Sequence, residues 1–242
     1  YRDIFVISSR IDGGVTFWRE HAEEVRAASE KYGVAEEILV AILGVETLYG
    51  TRAGSYRVLD SLSTLAFAYP PRSKFFTSEL EAFLLLVREE GLDPLETLGS
   101  YAGAMGAGQF ISSSFRAYAV DGNGDGQRDL WGDWEDVLAS VANYFHVHDW
   151  RPGEQVAVRA TLGSEWDGHE PENSIELTET VASLSQLGYI FGTDLPSTAK
   201  TTMLSLQGED AQEFWVGFHN FYVITRYNRS VMYALATYEL AQ

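Results

Sequence analysis

Apolar residues recur every three or four positions over most of the first 150 residues, and this spacing predicts amphipathic helices. The predicted helices cover residues 16–32, 35–49, 78–90 and 135–145. Gly33 and Gly91 follow two of these patterns directly and are typical helix stop signals. Residues 1–15 lack the periodicity, so an irregular arm is expected there.

The pattern changes after Trp150. Short β-prone segments at 155–161 and 201–206 predict a small, β-containing insertion over 151–207. Helical spacing returns near Ala211. The predicted organisation is a helical region (1–150), this insertion, and a C-terminal helical segment (208–242) that returns to the helical core. The predicted fold class is therefore mainly α, with a minor α+β part.

Composition restricts the function classes. The 242 residues are 45% hydrophobic and 21% charged, as in an ordinary globular protein. The formal net charge of −18 repels phosphate backbones and argues against nucleic acid as a partner. Cysteine is absent, which fits the cytoplasm and the periplasm equally. No nucleotide-binding fingerprint occurs, so no organic cofactor is expected.

Glu46 is the leading candidate for catalysis. Residues 38–45 read ILVAILGV, and a helix that is apolar on every side is buried on every side. Glu46 follows this run and shares a helix face with Leu39 and Ile42. Partial desolvation there would raise the pKa of a carboxyl group and suit it to general-acid catalysis. The alternative is a helix-end glutamate that reaches water or pairs with an arginine.

A second candidate is the segment SYAGAMGAGQF at 100–110. Its glycines allow the backbone to approach a ligand closely, and Gln109 offers both a hydrogen-bond donor and an acceptor. Such a segment can line a cleft for a polymer. Small residues in a tight packing contact would give the same pattern, and the sequence alone favours that alternative.

The sharpest spacing belongs to the segment DGNGDGQRDLWG at 121–132. Asp121, Asn123 and Asp125 occupy positions one, three and five of an EF-hand-like loop, and Gln127 offers its carbonyl at position seven. Gly126 permits the sharp turn at position six, and Asp129 could serve at position nine. Position twelve is Gly132 instead of the usual glutamate. The missing carboxylate would then come from Asp133, Glu135 or Asp136, of which Asp136 is preferred. An Asp/Gly-rich surface turn without an ion is the alternative.

Five segments together resemble one family of bacterial cell-wall enzymes. They are GVETLYG at 44–50, SYAGAMGAGQF at 100–110, DGNGDGQRDLW at 121–131, SVANYF at 140–145 and NFYVITRYNRS at 220–230. In this order they are similar to the membrane-bound lytic transglycosylase B family, glycoside hydrolase family 103, of the soluble lytic transglycosylase type. The resemblance covers nearly the whole chain.

The resemblance implies a lysozyme-like helical core with an EF-hand-like structural calcium site and a small β-containing domain. It also implies a lytic murein transglycosylase, which cleaves the β-1,4 bond between N-acetylmuramic acid and N-acetylglucosamine and leaves a 1,6-anhydro-muramic acid end. The partner would be the glycan strands of peptidoglycan. The location would be the periplasm or cell envelope, with outer-membrane attachment in a full-length form, and a monomer is expected.

Carried over position by position, the resemblance implies that Glu46 is the single catalytic residue, first acid and then base. The implied substrate-binding residues are Arg72, Ser100, Tyr101, Gln109, Tyr144, Tyr227, Asn228 and Tyr233. The implied calcium ligands are Asp121, Asn123, Asp125, Gln127 and Asp136. Pro71 stands where the family has an additional arginine, which puts the strength of muramoyl contacts in question.

Three other functions are compatible with the sequence. A lysozyme-type muramidase would use water and leave a reducing end. A non-catalytic peptidoglycan-binding module would bind the polymer without cleaving it. A calcium-responsive regulatory protein would need a large conformational change, although a single loop of this kind is more typical of a structural ion.

Overall fold

The computed structural model describes residues 1–166, 168 and 170–242, which form two compact units, Ile7–Val147 and Tyr1–Val6 with His148–Gln242. The helices are α1 (Arg2–Phe5), α2 (Ser8–Glu20), α3 (Ala22–Tyr32), α4 (Glu36–Thr47), α5 (Val58–Ala68), α6 (Ser73–Glu90), α7 (Ser112–Tyr118), α8 (Trp134–Val147), α9 (Val181–Gln186), α10 (His219–Tyr227) and α11 (Val231–Leu240). The strands are β1 (Tyr56–Arg57), β2 (Leu98–Gly99), β3 (Ala157–Leu162), β4 (Glu179–Thr180), β5 (Tyr189–Ile190), β6 (Lys200–Gln207) and β7 (Gln212–Gly217). The mainly α fold with a smaller β part is as the sequence predicts.

Helix α4 is the most deeply buried helix of the Ile7–Val147 unit. It packs against α2, α3 and α8, and Leu39, Ile42 and Leu43 have no exposed surface. Each such side chain contributes about 1.5–3 kcal/mol by burial. The predicted burial of the apolar run is confirmed for residues 38–44, and Val45 is half-buried.

The irregular arm predicted for residues 1–15 is wrong, since α1 and most of α2 lie there. Only Gly14 and Phe17 of α2 are buried, so the sequence carries no wide apolar stripe to reveal the helix. The single helix predicted over 16–32 is also wrong. It divides at His21, where the backbone leaves the helical region with φ −120° and ψ 32°.

The other predicted helices of this unit are confirmed within a few residues. Helix α6 begins earlier than expected and ends at Gly91, whose φ of 67° requires a residue that tolerates the left-handed region. Helix α5 was not predicted, although Val58, Leu62 and Ala66 recur every four residues and are buried.

Five antiparallel strands in the order β4-β6-β7-β3-β5 form the sheet of the second unit. The predicted strands at 155–161 and 201–206 correspond to β3 and β6. The helical pattern expected from Ala211 onward is wrong over residues 212–217, which form the central strand β7. Phe214, Trp215 and Val216 are all buried, and a continuous apolar run does not distinguish a strand from a buried helix. The division at 150 and 207 stays a prediction.

Among the described residues, no helix combines the length and apolar character that crossing a bilayer requires.

Arg2 is the ionic centre of the second unit. Its Nε donates to both carboxylate oxygens of Glu239 on α11, at 2.9 and 3.0 Å. Its two terminal nitrogens donate to Glu213 on β7, at 3.0 and 2.8 Å. The bond to Arg2 holds the pKa of Glu213 below its ordinary value near 4.5. One guanidinium therefore ties the first helix to a strand and to the last helix.

We expect Arg2→Ala to lower the free energy of unfolding by about 1–3 kcal/mol, because two half-buried carboxylates lose their main donor and keep only the longer contacts from Arg159 and Trp215. The stabilisation by Glu213 is present above pH 4.5 and is lost as the pH falls through its depressed pKa. The variant should therefore lose less stability than the wild type on acidification. Urea unfolding at pH 7 and pH 4 measures both effects. Arg19→Ala, an exposed control, should match the wild type, and equal loss in both variants would contradict this role.

Candidate active site

Glu46 is half-buried in the last turn of α4, at the end of the enclosed apolar run. The chain behind it turns sharply through Leu48, Tyr49 and Gly50, which have φ values of 51°, 59° and 80°. Left-handed backbone at a non-glycine residue costs on the order of 1–3 kcal/mol and persists only where neighbouring contacts fix it. The position of Glu46 is thus bounded by an enclosed helix on one side and a strained turn on the other.

Tyr49 fixes this turn by fitting into a slot between glycines. A Cβ atom on Gly44 or on Gly14 would lie 2.6 Å from the Tyr49 hydroxyl oxygen, so neither position admits a side chain. The ring stacks on Phe17 with centroids 5.6 Å apart, and the hydroxyl donates to the carbonyl of Arg10 at 2.8 Å. Burial raises the pKa of Tyr49 to about 12. Tyr49 is therefore a structural clamp on the turn after Glu46.

Thr47 joins the end of α4 to the Gly/Ala segment. Its hydroxyl donates to the carbonyl of Ala107 at 2.8 Å and accepts the N–H of Gly50 at 3.0 Å. Thr47 is 1% exposed, and a buried hydroxyl with both roles satisfied stabilises a fixed geometry. Sequence reasoning did not single out Thr47, because a threonine at a helix end carries no distinctive pattern.

Gln109 is held in a single orientation in the same segment. Its Nε2 donates to the carbonyl of Ala53 at 3.0 Å and to that of Gly106 at 2.9 Å, while its backbone adopts φ 53°. Both amide hydrogens are engaged, so the carbonyl oxygen Oε1 is the atom that Gln109 offers to a ligand.

The glycines of residues 100–110 serve close packing of the backbone. A Cβ atom on Gly106 would lie 2.3 Å from the carbonyl oxygen of Leu130, and one on Gly103 would lie 2.5 Å from the Leu62 side chain. These glycines therefore allow a tight packing contact, which was the alternative that the sequence favoured. Ser100 accepts the N–H of Ala104 at 3.0 Å, whereas Tyr101 is 73% exposed and presents its ring to solvent.

The two remaining candidate substrate-binding residues of this unit, Arg72 and Tyr144, differ in solvent exposure. Arg72 is exposed, and its guanidinium lies over the ring of Phe75 at 4.4 Å. Tyr144 is only 9% exposed and packs edge-on against Tyr118 with centroids 5.0 Å apart. Tyr144 thus belongs largely to the core, while Arg72 lies on the surface.

Three predicted substrate-binding residues belong to the other compact unit. Tyr227 ends α10, the exposed Asn228 follows it, and Tyr233 on α11 is 5% exposed. Two hydrogen bonds described above, Thr47 to Ala107 and Gln109 to Ala53, join the end of α4 to the Gly/Ala segment. These two segments form the candidate site.

The loop at 121–132 is folded around its own carboxylates. Asp121 accepts backbone N–H groups from Gly124 at 2.6 Å and from Gly126 at 2.8 Å, and the bond from Gly126 is the main cause of its lowered pKa. Asn123 and Asp125 accept from the residues two positions later, each at 2.8 Å. Among the described residues, no group of three or more acidic or histidine side chains converges as a preformed metal cluster.

Asp136 is the buried downstream acid that bonds the backbone of the loop. Its two carboxylate oxygens accept the N–H groups of Gly122 and Asp129, each at 2.7 Å. Asp136 is 1% exposed, and desolvation raises its pKa. Asp133 accepts the N–H of Glu135 at the start of α8 and also the side-chain N–H of the loop residue Asn123, at 2.7 Å, whereas Glu135 is exposed. The atoms in and beside the loop that could coordinate a metal ion are all oxygens, and oxygen ligands are those that Ca²⁺ prefers.

Comparison with known proteins gives one consistent answer. The transglycosylase SLT domain family matches residues 1–242. The chain is 43% identical to the membrane-bound lytic murein transglycosylase B of Escherichia coli over 244 residues, and it spans 66% of the length of that relative. It also matches the crystal structure of the soluble lytic transglycosylase SltB1 from Pseudomonas aeruginosa. That match has 50% identity and a TM-score of 0.95, and it covers 100% of this chain and 80% of the other.

Two further solved structures contain ligands. The E. coli lytic transglycosylase Slt35 in complex with calcium is 42% identical, with a TM-score of 0.93 and coverage of 100% of this chain and 76% of the other. SltB3 from P. aeruginosa in complex with NAG-anhNAM-pentapeptide is 32% identical, with a TM-score of 0.84 and coverage of 97% and 63%.

These likenesses confirm the family to which the motifs pointed, and with it the lysozyme-like helical fold. The match extends over the whole chain at identities well above those at which only the fold is shared. The chain belongs to the transglycosylase SLT domain family.

Proposed function

We propose that this protein is a lytic transglycosylase that cleaves the β-1,4 bond between N-acetylmuramic acid and N-acetylglucosamine in peptidoglycan. The observation that carries the proposal is the placement of Glu46. It is an acid at the end of an enclosed helix, followed by a turn that Thr47 bonds to the segment bearing Gln109. The relatives named lytic transglycosylases support the same activity.

In the first step, the carboxylic acid of Glu46 donates its proton to the glycosidic oxygen as the bond from that oxygen to C1 of the muramic acid breaks. N-acetylglucosamine leaves with a new hydroxyl group. Positive charge develops at C1, and the 2-acetamido oxygen of the same sugar stabilises it. A second enzyme carboxylate is therefore not required, in contrast to ordinary glycosidases.

In the second step, the Glu46 carboxylate takes the proton from the C6 hydroxyl, whose oxygen forms a bond to C1. The product is a 1,6-anhydro sugar, and Glu46 regains its proton. The nucleophile belongs to the substrate itself, so its effective concentration is high. The relative bound to NAG-anhNAM-pentapeptide contains a sugar of this anhydro type.

Substrate contacts are assigned to the residues that the resemblance implies. In the Ile7–Val147 unit, Gln109 offers its fixed Oε1 to a sugar hydroxyl or N–H group, the exposed ring of Tyr101 is suited to stacking on a sugar face, and Arg72 is suited to a carboxylate. The other members of the proposed set are Ser100, Tyr144, Tyr227, Asn228 and Tyr233. All of them come from one chain, so a monomer suffices.

The loop at 121–136 is proposed to bind one structural Ca²⁺. The ligands would be side-chain oxygens of Asp121, Asn123, Asp125 and Asp136 and the carbonyl of Gln127. A bound ion would neutralise part of the negative charge of Asp121, Asp125 and Asp136. The calcium complex of a 42% identical relative supports this assignment. The substrate lies in the bacterial envelope, which makes the periplasm the proposed compartment.

We expect Glu46→Gln to lower the release of muropeptides from purified sacculi at least about 10³-fold, because the amide can neither donate nor accept the transferred proton. Thermal unfolding should change little. Glu37→Gln, at the opposite end of α4, is the matched control and should retain activity. Undiminished turnover by Glu46→Gln would refute the assignment.

Mass spectrometry of the released muropeptides separates this activity from that of a muramidase. We expect anhydro-muramic acid ends, which are one water lighter than reducing ends. Reducing ends would identify a hydrolase, whereas binding to sacculi without release of fragments would indicate a non-catalytic module.

We expect millimolar Ca²⁺ to raise the melting temperature of the EGTA-treated protein by a few degrees, because a ligand that binds only the folded state stabilises it by mass action. Asp136→Asn should abolish most of this shift, and Asp12→Asn, an exposed control in α2, should preserve it. Differential scanning calorimetry measures the shift. The same response in both variants would exclude the proposed site.

A further inference from the structure

The unit that contains the sheet has a cavity of about 510 Å³, formed by residues near 151–154, 176–177, 195–200 and 219–222. This volume lies within the range of small-ligand sites. None of the residues assigned above to catalysis, sugar binding or calcium belongs to it. The walls combine apolar side chains such as Leu177, Leu195 and Pro196 with charged groups of both signs.

One wall of the cavity is held rigidly by a buried amide. Asn220 has no exposed surface. Its Oδ1 accepts the N–H of Arg151 at 2.9 Å, and its Nδ2 donates to the carbonyls of Arg151 and Glu154 at 2.8 and 3.0 Å. A fully buried side chain with three such bonds fixes the backbone that carries Arg151 and Glu154. Their charged groups are therefore presented to the cavity from a preorganised segment.

The charges around the cavity are not all neutralised. Arg151 pairs with Glu154 at 3.5 Å, and Glu176 pairs with Arg229 at 3.8 Å. Lys200, at the start of β6, forms no salt bridge with any residue that the structure describes. It is one of only three lysines in a chain of net charge −18. An unpaired cation at the edge of a mixed cavity favours a ligand with a carboxylate.

We propose that this cavity binds the stem peptide of peptidoglycan, with Lys200 facing a peptide carboxylate and the apolar wall contacting alanine side chains. Such a peptide carries several carboxylates and one free amino group, which matches a lining with cations and with the acids Glu154 and Glu176. The assignment of this peptide rests on the proposed function, since peptidoglycan is the polymer to which it is attached.

The test uses the 242-residue chain and a peptide without any glycosidic bond, N-acetyl-L-Ala-γ-D-Glu-meso-diaminopimelate-D-Ala, in which the acetyl group replaces the amide bond to muramic acid. We expect its titration by ¹⁵N NMR to shift amides of residues 195–200 and 219–222. Lys200→Ala should weaken binding roughly 3- to 5-fold, the range for one exposed charge pair. Lys200→Arg should restore affinity. Lys74→Ala, an exposed lysine outside the cavity, should bind like the wild type.

Two further ligands test which carboxylate the cavity recognises. The same peptide with all of its carboxylates converted to amides should bind more weakly, because no carboxylate then faces Lys200. N-acetylmuramic acid alone, whose carboxylate is on the sugar, should leave these amides unshifted. Equal binding of the peptide by Lys200→Ala, equal binding of the amide, shifts confined to residues 7–147, or shifts with the sugar alone would each overturn the proposal.

The outcome is separable from that of the proposed function. Peptide binding requires no turnover, so it can be measured equally well in Glu46→Gln. Cleavage of sacculi without peptide binding would remove this inference and leave the activity standing. Peptide binding without cleavage would support this inference and refute the proposed activity.

Discussion

The site depends on one constraint, which is that a helix with an unbroken apolar run must end in a polar turn without exposing its core. Helix α4 is enclosed up to Leu43, and the first acid after this run is Glu46. The chain must then reverse within a few residues, which places Leu48 and Tyr49 in left-handed backbone. Such strain persists only because neighbouring groups fix it. Here the Tyr49 ring between glycines and the buried hydroxyl of Thr47 provide that fixation.

This arrangement explains why the glycines near the site serve geometry more than ligand contact. Gly14 and Gly44 make room for a ring, and Gly106 lets two backbone segments meet at hydrogen-bond distance. Gln109 receives its orientation from the same packing, because backbone carbonyls hold both of its amide hydrogens. The proposed chemistry needs one proton donor and a fixed acceptor for the sugar, and it needs no further carboxylate.

The carboxylates of the two compact units have different kinds of hydrogen-bond partner. In the helical unit, the loop carboxylates accept backbone N–H groups, and Asp136 reaches back to close the loop. In the sheet unit, the carboxylates of Glu213 and Glu239 share the guanidinium of Arg2. A chain with 35 acidic and 17 basic residues has few cations to pair, so backbone donors replace them where a loop can supply them.

The sequence by itself determined the features that depend on local spacing. These are the enclosed helix before Glu46, the oxygen-bearing side chains of the loop at 121–132, the stop signal at Gly91, and the motifs that identify the family. It could not reveal α1 and α2, whose exposed faces carry little periodicity, nor assign Phe214–Val216 to a strand, because an unbroken apolar run fits either element. Only the tertiary structure decided that Thr47 bonds Ala107, that the Tyr49 ring packs between Gly14 and Gly44, and that the buried Asp136 accepts the N–H groups of Gly122 and Asp129. These outcomes depend on groups distant in sequence, whose mutual positions are fixed only when the core packs.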